Sequence, residues 1–163
     1  MTNAKPFTNL QLTTLVVLRF LIGWHLLYEG FSKLMNPQWS SAGFLRESQW
    51  IMEGIAKWIT SDPGVLNAVD FINTWGLIAI GLGLILGLLG RVAAVSGMIL
   101  LLVYYLNNAP IPGLEYSIPN EGNNLIVSKT LIEAVALLVL VIFPTSHLIG
   151  LDLLVRRMKK RNN

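Results

Sequence analysis

The sequence GLIAIGLGLILGLL, at residues 76–89, carries no charged side chain on any face of a helix. A helix of a soluble bundle needs a polar stripe that faces water, and the next apolar segment, residues 92–106, lacks such a stripe as well. We therefore interpret both segments as helices in a lipid bilayer, in preference to the alternative of a soluble four-helix bundle.

The composition of the chain also indicates a membrane protein. Of its 163 residues, 53% are hydrophobic and 13% are charged, about half the charged fraction of roughly 25% that is typical of soluble domains. The mean hydropathy is +0.59. Cysteine is absent, which excludes disulfides and cysteine-ligated iron–sulfur clusters. We expect a single domain over residues 1–163.

Four apolar segments divide the chain, at residues 13–35, 65–89, 92–106 and 125–143. A helix that spans a bilayer needs about 20 residues, so the third segment is short by itself. Its end carries Tyr104 and Tyr105, and with Asn107 and Asn108 they extend it into an interfacial belt. The predicted fold is an all-α integral membrane four-helix bundle.

The basic residues predict the orientation in the membrane. Five of them crowd the last eight positions: Arg156, Arg157, Lys159, Lys160 and Arg161. Cytoplasmic ends of membrane spans carry the excess of Lys and Arg. We therefore expect a multi-pass protein of a bacterial or archaeal inner membrane with both termini in the cytoplasm. We expect no cleaved signal peptide, because Arg19 and Glu29 interrupt the first apolar segment.

Residues 36–62 and 107–122 then form two outer loops. In the first loop Arg46, Glu47, Glu53 and Lys57 lie between apolar residues, which predicts an amphipathic helix at the membrane surface. Its large apolar residues are Trp39, Phe44, Leu45, Trp50, Ile51, Ile55, Trp58 and Ile59. Ser61, Asp62 and Pro63 predict the start of the second membrane helix. The second loop is rich in proline, and it is equally compatible with a lid and with a simple connector.

Ionisable residues in the first and last segments are the candidate site, because such residues are costly at membrane depth. Four of them, Arg19, His25, Glu29 and Lys33, fall within an arc of about 120° on the first helix. Lys129 and Glu133 lie one turn apart on the last helix. Matching their depths predicts contacts between Glu29 and Lys129 and between His25 and Glu133.

The charges balance, which predicts one compensated network that either fixes helix register or handles protons and a ligand. On the functional interpretation, the catalytic residues are His25, Glu29 and Glu133. The ligand-binding residues are Arg19, Lys33, Asp70, Asn123 and Lys129. We expect no metal site, because His147 follows the last helix near the opposite face. Gly83 and Gly87 predict close helix packing, or the face of a homo-oligomer.

Several stretches of this sequence resemble the DoxX family, and within it DoxD, the small subunit of thiosulfate:quinone oxidoreductase. The first is Arg19, Gly23, Trp24, His25, Tyr28, Glu29, Gly30, Lys33, Leu34, Asn36, Pro37, Trp39, Ser41 and Ala42. The second is Trp75, Gly76, Gly81, Gly83, Gly87, Gly90 and Arg91, and the third is Gly150, Leu151, Asp152, Arg156 and Arg157. Pro144, Thr145, Ser146 and His147 stand where the family has a glycine-rich turn.

This resemblance implies an inner-membrane subunit that delivers electrons to quinone, with thiosulfate oxidation as the best-known case. The implied cofactor is quinone, without metal, haem or an iron–sulfur cluster. The implied partners are the lipid bilayer and a second, DoxA-like redox subunit. No nucleic-acid partner is expected. The alternative is a non-enzymatic scaffold or lipid-binding module that assembles a partner at the outer surface.

Overall fold

The computed structural model describes residues 7–114, 116, 125–153 and 158. Its regular elements in these residues are helices. In chain order they are α1 (Asn9–Leu34), α2 (Ala42–Arg46), a 3-10 helix (Trp50–Met52), α3 (Glu53–Ser61), α4 (Pro63–Leu86), α5 (Gly90–Asn107) and α6 (Lys129–Ile142). This confirms the predicted all-α class.

Three of these helices are long and apolar enough to cross a membrane. They are α1 with 26 residues, α4 with 24 and α5 with 18. The last helix, α6, has 14 residues, which corresponds to about 21 Å against a hydrocarbon thickness of about 30 Å. It begins four residues later than the apolar segment that starts at residue 125, because Ser128 caps it by accepting a hydrogen bond from the Leu131 amide.

The ends of the long helices follow from local sequence. Thr8 and Gln11 form a capping box at the start of α1. Asp62 accepts hydrogen bonds from the amides of Gly64 and Val65, with Pro63 in the first turn, as predicted for the start of α4. Gly87 ends α4 in a left-handed conformation with a φ of 62°.

Helix α1 packs along α4, and α5 packs along α6, with smaller contacts between α4 and α5 and between α1 and α6. Glycines allow the first pair to approach closely. A Cβ atom built on Gly81 would lie 2.6 Å from the backbone nitrogen of Leu27, and one built on Gly30 would lie 2.7 Å from a side-chain carbon of Ile78. The apolar core includes Leu26 on α1, Leu84 on α4 and Leu137 on α6.

Gly83 and Gly87 lie within the fold, and Gly83 confirms the close helix packing that their spacing predicted. A Cβ atom on Gly83 would lie 2.9 Å from the Cβ of Ala93 on α5. Gly87 is buried at the end of α4, where an added Cβ would lie 2.9 Å from the Cα of Gly150. A homo-oligomer stays a prediction that this pair of glycines does not support.

The first loop is not the single amphipathic helix that its pattern predicted. It contains α2, the 3-10 helix and α3, and Trp50 between them has a φ of 56°. The loop is fixed to the long helices by side chains, since the Ser48 hydroxyl donates to Asn107 Oδ1 at 2.6 Å. Its apolar surface is still present, with Trp50 56% and Trp58 63% exposed.

The second loop is described only in part. The Tyr116 hydroxyl donates to the Ala109 carbonyl at 2.8 Å, and burial raises the pKa of this phenol. Residues 117–124 and most of the basic tail lie outside the described residues. The two roles predicted for the second loop, lid and connector, therefore stay predictions.

Candidate functional site

His25 on α1 contacts Glu133 on α6, which confirms the predicted pair. The imidazole Nδ1 lies 2.8 Å and 3.0 Å from the two carboxylate oxygens. The side chain of His25 is 48% exposed and that of Glu133 is 15% exposed. The imidazole therefore reaches the outer surface of the helices while the carboxylate holds it from the inner side.

A groove runs beside this contact, between α1 and α6, with a volume of about 350 Å³. We call it the α1–α6 groove. Its polar residues are His25, Lys129 and Glu133, and its apolar residues are Leu18, Leu21, Ile22, Ile132 and Ala136. The surface around it is apolar, because Trp24, Tyr28 and Val135 are more than half exposed. In a membrane this surface faces lipid.

The hydrogen bond to Glu133 determines what His25 offers to the groove. With Nδ1 engaged, Nε2 is the nitrogen that remains for a ligand, and it makes no hydrogen bond within the described part of the chain. In the neutral ring, Nδ1 donates its proton to the carboxylate and Nε2 is an acceptor. In the protonated ring, Nε2 is a donor. The pair can therefore accept and return a proton at Nε2.

The second predicted pair, Glu29 with Lys129, is wrong. Glu29 accepts instead from Lys33, one turn along the same helix, at 3.3 Å. The Lys33 ammonium also lies 5.3 Å from the ring centroid of Trp39 and 5.7 Å from that of Tyr104. Residues four apart on one helix are neighbours by geometry, so this local partner is closer than one on another helix. Lys129 stays exposed beside the groove.

The charged residues do not form one network among the described residues. Arg19 is 5% exposed and donates to Thr145 Oγ1 at 3.1 Å and to the Ile149 carbonyl at 2.7 Å. Asp70 accepts from the amide of Ser41 at 2.9 Å and from its hydroxyl. Asn123, the remaining predicted ligand residue, lies outside the described residues. Of the predicted site residues, His25, Lys129 and Glu133 line the groove.

One polar residue with a clear structural role was missed by the site analysis. Asp152 accepts hydrogen bonds from the amides of Leu89 at 2.8 Å and Gly90 at 3.2 Å, so it caps α5 from 62 residues away. In the sequence, Asp152 stood out only as one of the residues that carry the family resemblance. It fixes the turn between α4 and α5 to the segment that follows α6, and Arg19 fixes α1 to the same segment.

The helices and the groove define a multi-pass helical membrane protein with a histidine–carboxylate pair beside an apolar groove. The model of the DoxX family matches residues 14–107, more than half of the chain, and the protein belongs to this family. The match includes His25 and ends before Glu133. No curated protein and no solved structure matches the chain.

Proposed function

We propose that this DoxX protein is the membrane subunit of a quinone-linked oxidoreductase and that the α1–α6 groove binds the quinone. The observation that carries the proposal is the His25–Glu133 pair in an apolar groove open to lipid. Ionisable groups at membrane depth are costly unless they are paired, hydrated or bound to a ligand. A quinone fits, because it combines hydrogen-bonding ring oxygens with an apolar tail.

The depth and the size of the groove support a ligand that arrives from the bilayer. His25 lies nine residues before the end of α1, or about 14 Å along the helix, which is close to the middle of the hydrocarbon. The volume of about 350 Å³ lies in the range of about 300–1,000 Å³ that is usual for small-molecule sites. The tail would lie along Leu18 and Leu21.

Each polar residue of the groove has a role in this proposal. His25 Nε2 binds a quinone oxygen and exchanges a proton with it, and Glu133 holds the imidazole in position. Lys129 provides a positive charge for the reduced oxygen. Arg19 and Asp70 bind ligand less readily, because each would first have to give up its present hydrogen bonds.

The proposal includes the assembly and the membrane. The chain lies in a bacterial or archaeal inner membrane with cytoplasmic termini. Helix α6 and its flanking residues form a fourth span that completes a four-helix bundle. A DoxA-like subunit supplies electrons on the outer face, with a sulfur oxyanion such as thiosulfate as their source.

Binding of a quinone analogue to the purified protein in lipid nanodiscs tests the site. We expect His25→Gln to weaken binding at least tenfold and Glu133→Gln to weaken it by a similar factor. His147→Gln is the matched control, because it removes the other histidine and leaves the groove intact. Equal affinities for wild type and His25→Gln would exclude this site. Thiosulfate-dependent quinone reduction, with the partner supplied, tests the reaction.

A second candidate function is a scaffold or lipid-binding module, and the exposed apolar surface of the first loop favours it. Trp50, Ile51, Ile55 and Trp58 are each more than half exposed on the 3-10 helix and α3. Two variants separate the candidates. Loss of assembly in Trp58→Ser, with no turnover in wild type, supports the scaffold. Loss of turnover in His25→Gln, with normal assembly, supports the oxidoreductase.

A further inference from the structure

We propose that the His25–Glu133 pair exchanges protons with the water on one side of the membrane only. This is the side on which α2 and α3 lie, which we call the loop side, and Glu29 and Lys129 line the route. The inference deepens the proposed function and rests on it for the use of the protons. The direction of the route rests on the placement of the charged side chains.

Ionisable side chains continue from the pair toward the loop side. On α1, Glu29 follows His25 by one turn, and Lys33 follows by a second turn. On the antiparallel α6, Lys129 lies one turn from Glu133 in the same direction. Glu29 is 47% exposed, although it also accepts from Lys33. Steps of one turn, about 6 Å, can be bridged by one water molecule.

Toward the opposite side, which holds the turn between α4 and α5, the groove offers no proton carrier among the described residues. Its lining there is Leu18, Leu21, Ile22 and Ala136. From residue 134 to residue 142, α6 reads AVALLVLVI. Arg19 lies in this direction, but a guanidinium does not deprotonate in proteins, and this one already holds Thr145 and Ile149.

The short length of α6 leaves its polar first residue below the loop-side end of α1. Because Glu133 is level with His25, the first residue of α6, Lys129, is level with about residue 29 of α1. The helix α6 therefore starts about 8 Å below the end of α1. Backbone without helical hydrogen bonds at such a depth needs protein or water as a partner. The Tyr105 hydroxyl supplies one hydrogen bond, to the Ile126 carbonyl at 2.8 Å.

The exchange is a proton transfer that needs no electron donor. The Nε2–H bond of protonated His25 breaks, and a bridging water passes the proton to the Glu29 carboxylate. The O–H bond that forms there breaks when the carboxyl group releases its proton to water on the loop side. The reverse sequence reprotonates His25. Lys129 keeps the route hydrated.

Single cysteines test the route directly, because the natural chain has none. Ile132→Cys places a thiol at the level of the pair, and Leu18→Cys places one in the apolar part of the groove. A membrane-impermeant methanethiosulfonate added from the loop side should modify Ile132→Cys at least tenfold faster than Leu18→Cys. Modification of Leu18→Cys from the opposite side, or of neither cysteine from the loop side, would overturn the route.

The protonation of His25 provides a second measurement. In the His147→Gln background, the ¹⁵N shifts of the single imidazole report its charge in oriented vesicles whose two sides are held at different pH. We expect the shifts to follow the pH of the loop side, and to equilibrate at least tenfold more slowly in Glu29→Gln. Shifts that follow the other side contradict the inference. Because no quinone is present, this result is independent of quinone binding, so the two proposals can fail separately.

Discussion

Glycine residues set the distance between α1 and α4, and two glycines on α4 allow a matched test. Gly81→Ala should lower the free energy of unfolding by about 1–3 kcal/mol, because the new methyl group would overlap the backbone of α1 at Leu27 and Gly23. Gly76→Ala should be neutral or stabilising by about 0.5–1 kcal/mol, since nothing lies within 4 Å of its added Cβ. Unfolding of the purified protein in detergent measures both.

Equal effects of the two alanine substitutions would show that α1 and α4 are not in close contact at Gly81. A smaller difference, with Gly81→Ala only slightly destabilising, would mean that the two helices separate easily at this point. The contact between α1 and α4 at Gly81 would then be loose. It would not fix how deep His25 lies in the membrane.

The first helix also shows which contacts between side chains a sequence can predict. The contact of His25 with Glu133 follows from two antiparallel helices and equal depth, so the sequence was sufficient. The contact of Glu29 was predicted wrongly, because a local partner, Lys33, competes with the distant one. The main acceptor of Arg19 is the Ile149 carbonyl. Every residue has such a carbonyl, so no pattern of side chains indicates it.

At the scale of single elements, the start of α6 depends on one side chain. Ser128→Ala removes the hydrogen bond to the Leu131 amide and should destabilise the protein by about 1 kcal/mol. Helix α6 has few turns and carries Glu133, so we also expect faster amide exchange at its first turn. Ser96→Ala, on the exposed face of α5, is the control and should change stability by less than about 0.5 kcal/mol.

Unchanged exchange in Ser128→Ala would mean that neighbouring protein, rather than the cap, fixes the start of α6. Packing, and not the Ser128 hydroxyl, would then explain why α6 starts later than the apolar segment of the sequence.

Helix α3 should weaken in acid. Lys57 donates to Glu53 at 2.5 Å, and this ammonium holds the pKa of the Glu53 carboxyl below its ordinary value of 4.5. A lowered pKa in the folded state means that the pair stabilises α3 above pH 4.5 and that this contribution is lost as the pH falls through the lowered value. The protection of α3 amides from hydrogen exchange, measured relative to their intrinsic exchange rates, should therefore fall as the pH drops below 4.5.

The comparison with Lys57→Met distinguishes this ion pair from a general effect of acid. In that variant the protection of α3 amides, relative to their intrinsic exchange rates, should already be lower at neutral pH and should change less between about pH 6 and about pH 3. An identical pH profile in the two proteins would contradict a contribution from the pair.

The long helices were predicted well, and the first loop was not. Apolar length and the capping signal at Asp62 are local, so they appear in the sequence of each helix. The break at Trp50 lies next to a contact of Ser48 with Asn107, 59 residues away on α5. A pattern of alternating apolar and charged residues contains no information on such a contact, and it therefore predicted one continuous helix.

For the whole molecule, the orientation in the membrane is the prediction that matters most. A cysteine at Ser61, at the exposed end of α3, should react with an impermeant thiol reagent added to the outer side of intact cells or spheroplasts. A cysteine at Arg91, which is exposed at the start of α5, should react only after the membrane is permeabilised. The reason is the positive charge of the C-terminal tail. The opposite pattern would invert the orientation.

The contacts of Arg19 have a consequence for the biosynthesis of the protein. Its hydrogen-bond acceptors lie 126 and 130 residues later in the chain. At about 5–20 residues per second, a ribosome needs about 6–25 s to make that length of chain. During this time α1 carries a cation into the membrane without its final partners. We expect a chain that stops after Phe143 to be degraded quickly in a pulse-chase experiment, and Arg19→Met to lengthen the half-life of that shortened chain. Equal half-lives would mean that the nascent chain shields Arg19 by other means. A longer half-life for the Arg19→Met chain would mean that α1 escapes quality control only after the last residues of the chain have been made.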